Sequence, residues 1–440
     1  MVQQPKRNMV LTVLILAVLS IFCALPFLSL IASQQAPIAL ILLTIFLSLA
    51  LFVQWRLDPG FTVCLVPDRK MLVWIGITGI CLVYIAASCF WSSNPADSLQ
   101  RLKRLGLLLA IGFLAVFAAQ RVPPASHRLM LSVVFAVTGF AALFVSEKVF
   151  GLLSNTIWAS ESDEFKAQFL NRPSTYMVML AWPAAYAAHR AGKNLVSWAL
   201  VISLPLVLFW SSSTSGALSA AAGFGAFLVT SLNRKAATIL FGAVVFVSVL
   251  AIPYAIKNEA FLNAAVSAVR QTGAFSAAHR LGIWNFVASR SDEKPLFGWG
   301  VDVGRTLPGA EILLGDVESF SPYLDKLDQT FPTLRSSPAL PLHPHNAALQ
   351  LHLELGVVGA VSFCLVVVYA AFSLAKIGSP SAARYTVAWA TSWFVIAYFS
   401  IGLWQTWWWA LSAICLIQFT YFCRSCGADR YAPTEQCKHR

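Results

Sequence analysis

Charge is what this sequence has least of. Only 11% of its 440 residues are Asp, Glu, Lys or Arg, where a soluble domain carries about 25%. That shortage excludes a string of water-facing domains. Apolar residues make up 58% of the chain, and they fall in runs of about 20, the length that crosses a bilayer as a helix. The first run, Met9 to Ala32, far exceeds the roughly 7–15-residue apolar core of a signal peptide and reads as a retained span.

Cysteine is present but forms no disulfide framework. Of nine cysteines, Cys23, Cys81, Cys89, Cys364 and Cys415 fall within apolar runs and Cys64 in a connection. The C-terminal Cys423, Cys426, Cys437 and His439 lack the second ligand pair of a standard zinc site, so a reduced tail is the expectation. Ionisable residues are almost missing from the first nine runs, with Glu147 and Lys148 near an edge. Transporters usually keep such groups at mid-membrane, which weighs against a lipid-sugar transporter. No Asp-x-Asp sugar-nucleotide motif occurs, and Trp404 to Ala410 lacks the Trp-Trp-Asp of oligosaccharyltransferases.

What is there predicts an all-α, polytopic integral membrane protein of about twelve spans with one long, partly helical periplasmic loop. The spans are placed near 9–32, 36–55, 71–90, 103–120, 129–150, 174–190, 195–212, 214–232, 237–256, 345–372, 385–403 and 405–422. The pair around Ser211–Gly216 reads either as a tight re-entry or as one broken helix. The domains that follow are a bundle over 1–256, a large loop over 257–344, three further spans over 345–423, and a tail over 424–440. Lys and Arg gather in the even-numbered connections and at both ends, which places both termini in the cytoplasm. Arg101, Lys103 and Arg104 run against that pattern. The net charge of +12 is in part this topology signal and does not point to nucleic acid.

The charges collect in the loop from Lys257 to Pro344, which holds nine of the nineteen acids. Structureless loops beyond about 12–15 residues are usually functional or disordered. Ile283, Phe286 and Val287 lie at helical spacing, with Arg280 and Trp284 one turn apart. Asp316 to Leu340 reads as an acidic surface excursion. A second segment, Ser160 to Ser174, puts Asn171 and Arg172 at the mouth of the sixth span. At the far end stands LPLHPHNAALQLHLELGVVGA, Leu340 to Ala360. Proline is favoured at the first helical position, so a helix is expected from Pro344. On that helix His345, His352, Gly356 and Gly359 form one stripe, with Glu354 opposite. Glycines at this spacing admit a neighbouring helix. His345 would then sit at a helix start at the membrane edge, among arginines of two outer segments. Such a site suits a diphosphate-bearing lipid, and His345 a proton transfer. His343 and His352 read as much as structural as functional. Trp404 to Trp409 reads as an interfacial aromatic belt.

The block from His345 to Gly359, His-Asn followed after nine residues by Gly-x-x-Gly, resembles the signature of the O-antigen ligase and O-antigen polymerase superfamily. RLGIW to PLFGWGVD, Arg280 to Asp302, resembles that family's loop block, and FLNRPSTYMVMLAWP and WSSNPADSLQR resemble further segments. The resemblance implies glycan transfer from an undecaprenyl-diphosphate carrier to an acceptor hydroxyl at the periplasmic face. In ligases the acceptor is lipid A–core; in polymerases it is the growing glycan. It implies a metal-independent, inverting reaction without cofactor. His345 would be the base and Arg280 the charge stabiliser, with Arg172, Asn171, His343, Asn346 and Trp284 around the diphosphate and glycan. Ligation to lipid A–core is the first reading, polymerisation the second and non-enzymatic transport the third. One departure stands out. Where many ligases carry Ser-Arg-Gly, this chain has Ser213-Thr214-Ser215-Gly216, without the arginine.

Overall fold

A computed structural model describes residues 4–58, 69–123, 126–162, 169–210, 213–376 and 380–424. Among them the chain is helical, with no strand beyond one isolated bridge, Leu313 to Pro338. Nine helices come first: α1 (Gln4–Ile31), α2 (Ala36–Leu57), α3 (Arg69–Ser88), α4 (Pro95–Ala119), α5 (His127–Phe150), α6 (Asn171–Arg190), α7 (Asn194–Trp210), α8 (Thr214–Leu232) and α9 (Arg234–Lys257). Then follow α10 (Glu259–Thr272), α11 (Phe275–Asp292), α12 (Ser321–Leu327), α13 (Ala347–Lys376), α14 (Pro380–Phe399) and α15 (Thr406–Arg424). Cys64, Cys426, Cys437 and His439 lie outside the described residues.

Among the described residues seven helices are long and apolar enough to cross a membrane: α1, α2, α4, α5, α8, α9 and α13. The chain is thus a multi-pass membrane protein. The seven leave large apolar side chains facing outward, such as Ile38, Ile45 and Phe52 on α2 and Leu107 and Phe113 on α4, as a hydrocarbon surround favours. Helix α6 is different. Every residue from Pro173 to Ala188 is buried, so it runs through the middle of the bundle. Its alanines let neighbours approach, and its large side chains carry polar handles that are satisfied inside. The Trp182 indole N–H donates to Ser392 Oγ at 3.0 Å. Helices α8 and α14 meet where a side chain on Gly223 would strike Ser392 and Trp182. Ser219 and Ser392 donate to each other's carbonyls there at 2.8 and 3.0 Å. Small residues with hydroxyl cross-links are how helices associate without water. Helices α7 and α8 pack against one another; Ser211 and Ser212, between them, lie outside the described residues.

Two expectations are corrected here. Helix α4 begins at Pro95, not near residue 103, because Asn94 caps it by accepting the Asp97 N–H and proline fits the first turn. Arg101 is therefore a helical residue, paired with Asp302 at 2.8 Å, and its place outside the Lys/Arg pattern has a local counter-charge. The stretch from Asp316 to Leu340 is no surface excursion. Phe320, Leu324, Leu327, Phe331 and Leu334 are buried in a second hydrophobic core with Ile283, Phe286 and Val287 of α11 and Leu349 and Leu353 of α13. Their spacing of four, three, four and three is a helical apolar pattern that the neighbouring acids and prolines mask.

Helix α13 is broken at Gly356, whose φ of 63° and ψ of −168° lie in a region only glycine occupies freely. The 294–302 segment docks on the break through main-chain bonds. Trp299 and Gly300 donate to Leu353 and Glu354, and Val357 donates back to Pro295, each at 2.8 Å. The Tyr84 hydroxyl caps the freed Leu355 carbonyl at 2.6 Å. Gly356 thus admits a loop backbone, not a neighbouring helix; a Cβ there would lie 2.3 Å from Leu296.

Candidate active site

The helix expected from Pro344 starts later, at Ala347. Pro344 biases His343 toward extended backbone, His345 turns left-handed at φ 52°, and Asn346 is the cap. Its Oδ1 accepts the Leu349 N–H at 3.0 Å. The two histidines therefore stand on a strained turn in front of α13, with ring centroids 4.1 Å apart. The stripe through His345 and His352 does not form. His352 is buried along the helix and bonds the Val249 carbonyl at 3.0 Å, fixing α13 to α9.

The turn between α14 and α15, residues 400–405, is the platform for both rings. His345 Nδ1 lies 3.0 Å from the Ser400 carbonyl. A carbonyl only accepts, so Nδ1 carries the proton and Nε2 is the free basic nitrogen. His343 Nδ1 accepts the His345 N–H at 3.2 Å, and its Nε2 meets the Gln405 amide at 3.1 Å. Two glycines make room: a Cβ on Gly402 would strike the His343 ring at 2.9 Å, and one on Gly304 the Leu342 carbonyl at 2.8 Å. From α11, the Trp284 indole N–H donates to the Pro344 carbonyl at 2.9 Å. Trp284 thereby braces the histidine turn.

Arg280, one turn before Trp284 on α11, is largely buried, and burial pushes its guanidinium below its ordinary value. Among the described residues no carboxylate or hydrogen-bond acceptor pairs with it. Its charge falls on both histidines. Burial lowers His343 to about 3, with His345, Arg280 and Arg305 adding to the effect. Burial lowers His345 to about 4; the Ser400 bond works against this, and Arg280 and His279 add to it. Both rings are neutral near pH 7. Asn346 is fully buried and its Nδ2 has no partner. An unpaired cation acting on two neutral histidines, with an unpaired buried donor on the residue after His345, suits an anionic or oxygen-rich ligand.

Asn171 and Arg172 open α6 and are exposed. Arg172 donates to Ser33 Oγ at 3.3 Å. No contact joins it to His345 or Arg280 among the described residues. One helical turn on, Tyr176 stacks on Trp407 at 5.9 Å, and the Trp407 indole N–H donates to Gln405 at 2.8 Å. Arg172 is thus at the same end of the bundle as His343, one aromatic pair removed. Of the expected aromatic belt from Trp404 to Trp409, Trp404, Trp407 and Trp408 are buried against the protein and Trp409 is half-buried. Sequence reasoning missed Ser400 and Gln405, while Arg305 reads there as a solvated or structural arginine. Only Gln405, polar in an aromatic run, carries a signal. Among the described residues no three His, Cys, Asp or Glu side chains are grouped to hold a metal ion.

The family model described as O-antigen ligase matches residues 198–364, a span that holds Arg280, Trp284, His343, His345 and Asn346. A protein of Rickettsia conorii with the provisional name polysaccharide ligase is 27% identical over 339 residues, 76% of each chain. Its counterpart in Rickettsia typhi is 27% identical over 333 residues, 74% of this chain and 76% of its own. The His-Asn to Gly-x-x-Gly block lies inside the matched span, and the family model and these relatives together support kinship with the O-antigen ligase-like superfamily.

Proposed function

We propose that this protein transfers a glycan from an undecaprenyl-diphosphate carrier to a sugar hydroxyl, with lipid A–core as acceptor, at the periplasmic face of the inner membrane. The observation that carries the reading is a neutral His345, its Nε2 free, within reach of the charge of an Arg280 that has no counter-ion among the described residues. In the proposed step Nε2 takes the proton of the acceptor hydroxyl. That oxygen attacks the anomeric carbon from the side opposite the diphosphate, so configuration inverts. The carbon–oxygen bond to the diphosphate breaks and its electron pair stays on the phosphate oxygen, where Arg280 offsets the charge. Arg172 and Asn171 are assigned to the carrier headgroup, and Asn346 Nδ2 to a phosphate or sugar oxygen. His343 and Trp284 are assigned to the same ligand through their hold on the histidine turn.

A base near pKa 4 is weak, chiefly because it is buried. An anionic diphosphate beside Arg280 offsets the smaller, coulombic part of the lowering and so makes the imidazole more basic when the donor is bound. The test is the lipopolysaccharide profile of a deletion strain. Lipid-linked polymer accumulating without attachment supports ligation. Core capped by single repeat units transfers the reading to a polymerase. An unchanged profile rejects both.

A further inference from the structure

The proposed step leaves Glu354 unused, although a carboxylate only 1% exposed in a membrane-spanning helix is costly to keep. Its surroundings are all donors. Oε2 accepts the Asp302 N–H at 2.6 Å and the Trp404 indole N–H; Oε1 accepts the Gln350 amide at 2.8 Å. Among the described residues no cation pairs with it, and Arg101 is engaged with Asp302. Gln350 in turn accepts the Leu403 N–H at 2.8 Å.

These bonds close a ring. Helix α13 carries His345 just ahead of its first turn. One helical turn and two helical turns along α13, Gln350 and Glu354 grip Leu403 and Trp404. The same 400–405 turn presents the Ser400 carbonyl to His345 and Gln405 to His343. The Glu354–Asp302 bond also fixes the entry to the turn bearing Arg305 and Gly304, the glycine that presses on Leu342.

We infer that Glu354 is a positioning residue: together with Gln350 it locks the 400–405 turn to α13, and so holds His345 with Nδ1 on Ser400 and Nε2 free. The inference rests on the transfer reading given above for its rate readout, and on chemistry alone for a second readout. In Glu354→Gln the oxygen can serve Asp302 and Trp404, but the new amide then faces the Gln350 amide. If Gln350 flips, its amide faces the Leu403 N–H. One donor pair always collides. In the double variant Gln350→Glu/Glu354→Gln every donor regains an acceptor, with the charge moved to position 350.

The experiment uses the full chain in detergent or nanodiscs, with lipid-linked glycan donor and acceptor. Glu354→Gln is expected to lower kcat on the order of 10- to 100-fold, the scale of a misplaced catalytic group, with donor KM within about twofold. The double variant is expected to recover most of it. Independently, the nitrogen-15 chemical shifts of the His345 ring, in full chain labelled at histidine, read its tautomer. Wild type should show a protonated Nδ1 and a bare Nε2, and Glu354→Gln a population with the proton on Nε2, because Nδ1 is released from Ser400. The double variant should return to the wild-type tautomer. Trp404→Phe, which deletes a single donor, serves if Glu354→Gln does not fold, and should give a partial shift. Wild-type kcat with the wild-type tautomer in Glu354→Gln, or a double variant no better than the single, overturns the inference. No transfer by wild type would reject the transfer reading, while the tautomer still decides the role of Glu354.

Discussion

The Nδ1–H of His345 points at the carbonyl of Ser400, 3.0 Å away. A main-chain acceptor does not titrate and survives a change of side chain at position 400, so it fixes the tautomer for as long as the 400–405 turn keeps its place. Only Nε2 is left to accept a proton. His345→Ala is therefore expected to abolish glycan transfer, with expression and membrane insertion kept. His352→Ala should do the reverse. It removes a bond to Val249 within the bundle and should cost roughly 1–3 kcal/mol of stability, while transfer per folded molecule stays near wild type. Full transfer by His345→Ala in a purified assay would take this residue out of the mechanism.

The depressed histidines predict two pH effects. His343 and His345 lie near 3 and 4 when folded against about 6.5 in an unfolded chain. Between those values the unfolded chain binds more protons. Stability is then complete above about pH 6.5 and falls as pH drops toward 4. Thermal unfolding in detergent at a series of pH values should show this, and a His343→Asn/His345→Asn variant should show it less. For activity, the acid limb of kcat/KM should lie well below pH 6.5. Arg280 is one cause of the lowering, so Arg280→Gln should move that limb to higher pH as well as slow transfer. A limb that stays put in Arg280→Gln would separate Arg280 from His345.

How much of this was legible follows from which interactions are local. The apolar runs mark helices because span length is a one-dimensional property. Arg280 and Trp284 fall on one helix because their spacing is. The late start of α13 was not legible, since Pro344 fits a first helical turn as well as a turn ahead of one; the Asn346 cap decides it. The Gly356 break depends on a loop from residues 294–302 arriving from far along the chain. The role of Ser400 is a main-chain property and leaves no trace in residue type. Glu354 reads on a helical wheel as simply opposite the histidines, because its partners Asp302 and Trp404 come from two other segments.

Gly356→Ala tests the break. The backbone conformation alone should cost roughly 1–3 kcal/mol in a side-chain-bearing residue, and the added carbon would overlap the Leu296 main chain. Gly192 is the control. Its φ is also positive, at 74°, but nothing lies within 4 Å of its would-be Cβ, so Gly192→Ala should cost only about 1 kcal/mol. Equal unfolding temperatures for the two variants would show that the 294–302 loop yields easily at the break.

Transfer should survive chelation. The histidines spend Nδ1 on Ser400 and on the His345 main chain, and the described acids group into no ligand set. Arginine, not a divalent ion, is the proposed counter-charge to the leaving diphosphate. Purified protein assayed in EDTA should keep its wild-type rate. Loss of activity in EDTA with recovery in magnesium or manganese would contradict this.

The absent arginine at Ser215 leads to the last prediction. Helices α6 and α8 begin side by side: a Cβ on Gly216 would lie 3.5 Å from the Ser174 Cβ. Arg172 is exposed two residues before Ser174, and Ser215 is half-buried one residue before Gly216. A guanidinium on either position projects from the same corner of the bundle. That corner is linked to His343 through Tyr176, Trp407 and Gln405. Arg172 is therefore assigned the place of the missing residue. Arg172→Lys should be impaired, because an ammonium cannot reproduce the two-pronged contact with a phosphate. Arg172→Ala should lose on the order of 10-fold or more in kcat/KM, as expected when one charged hydrogen bond of about 1.5–3 kcal/mol is removed. Adding Ser215→Arg to Arg172→Ala should restore part of that loss. If Arg172→Ala transfers glycan as well as wild type, Arg172 only anchors α6 to Ser33. The second phosphate contact then falls to Arg305, the exposed arginine whose charge reaches His343, and Arg305→Ala should show the loss instead.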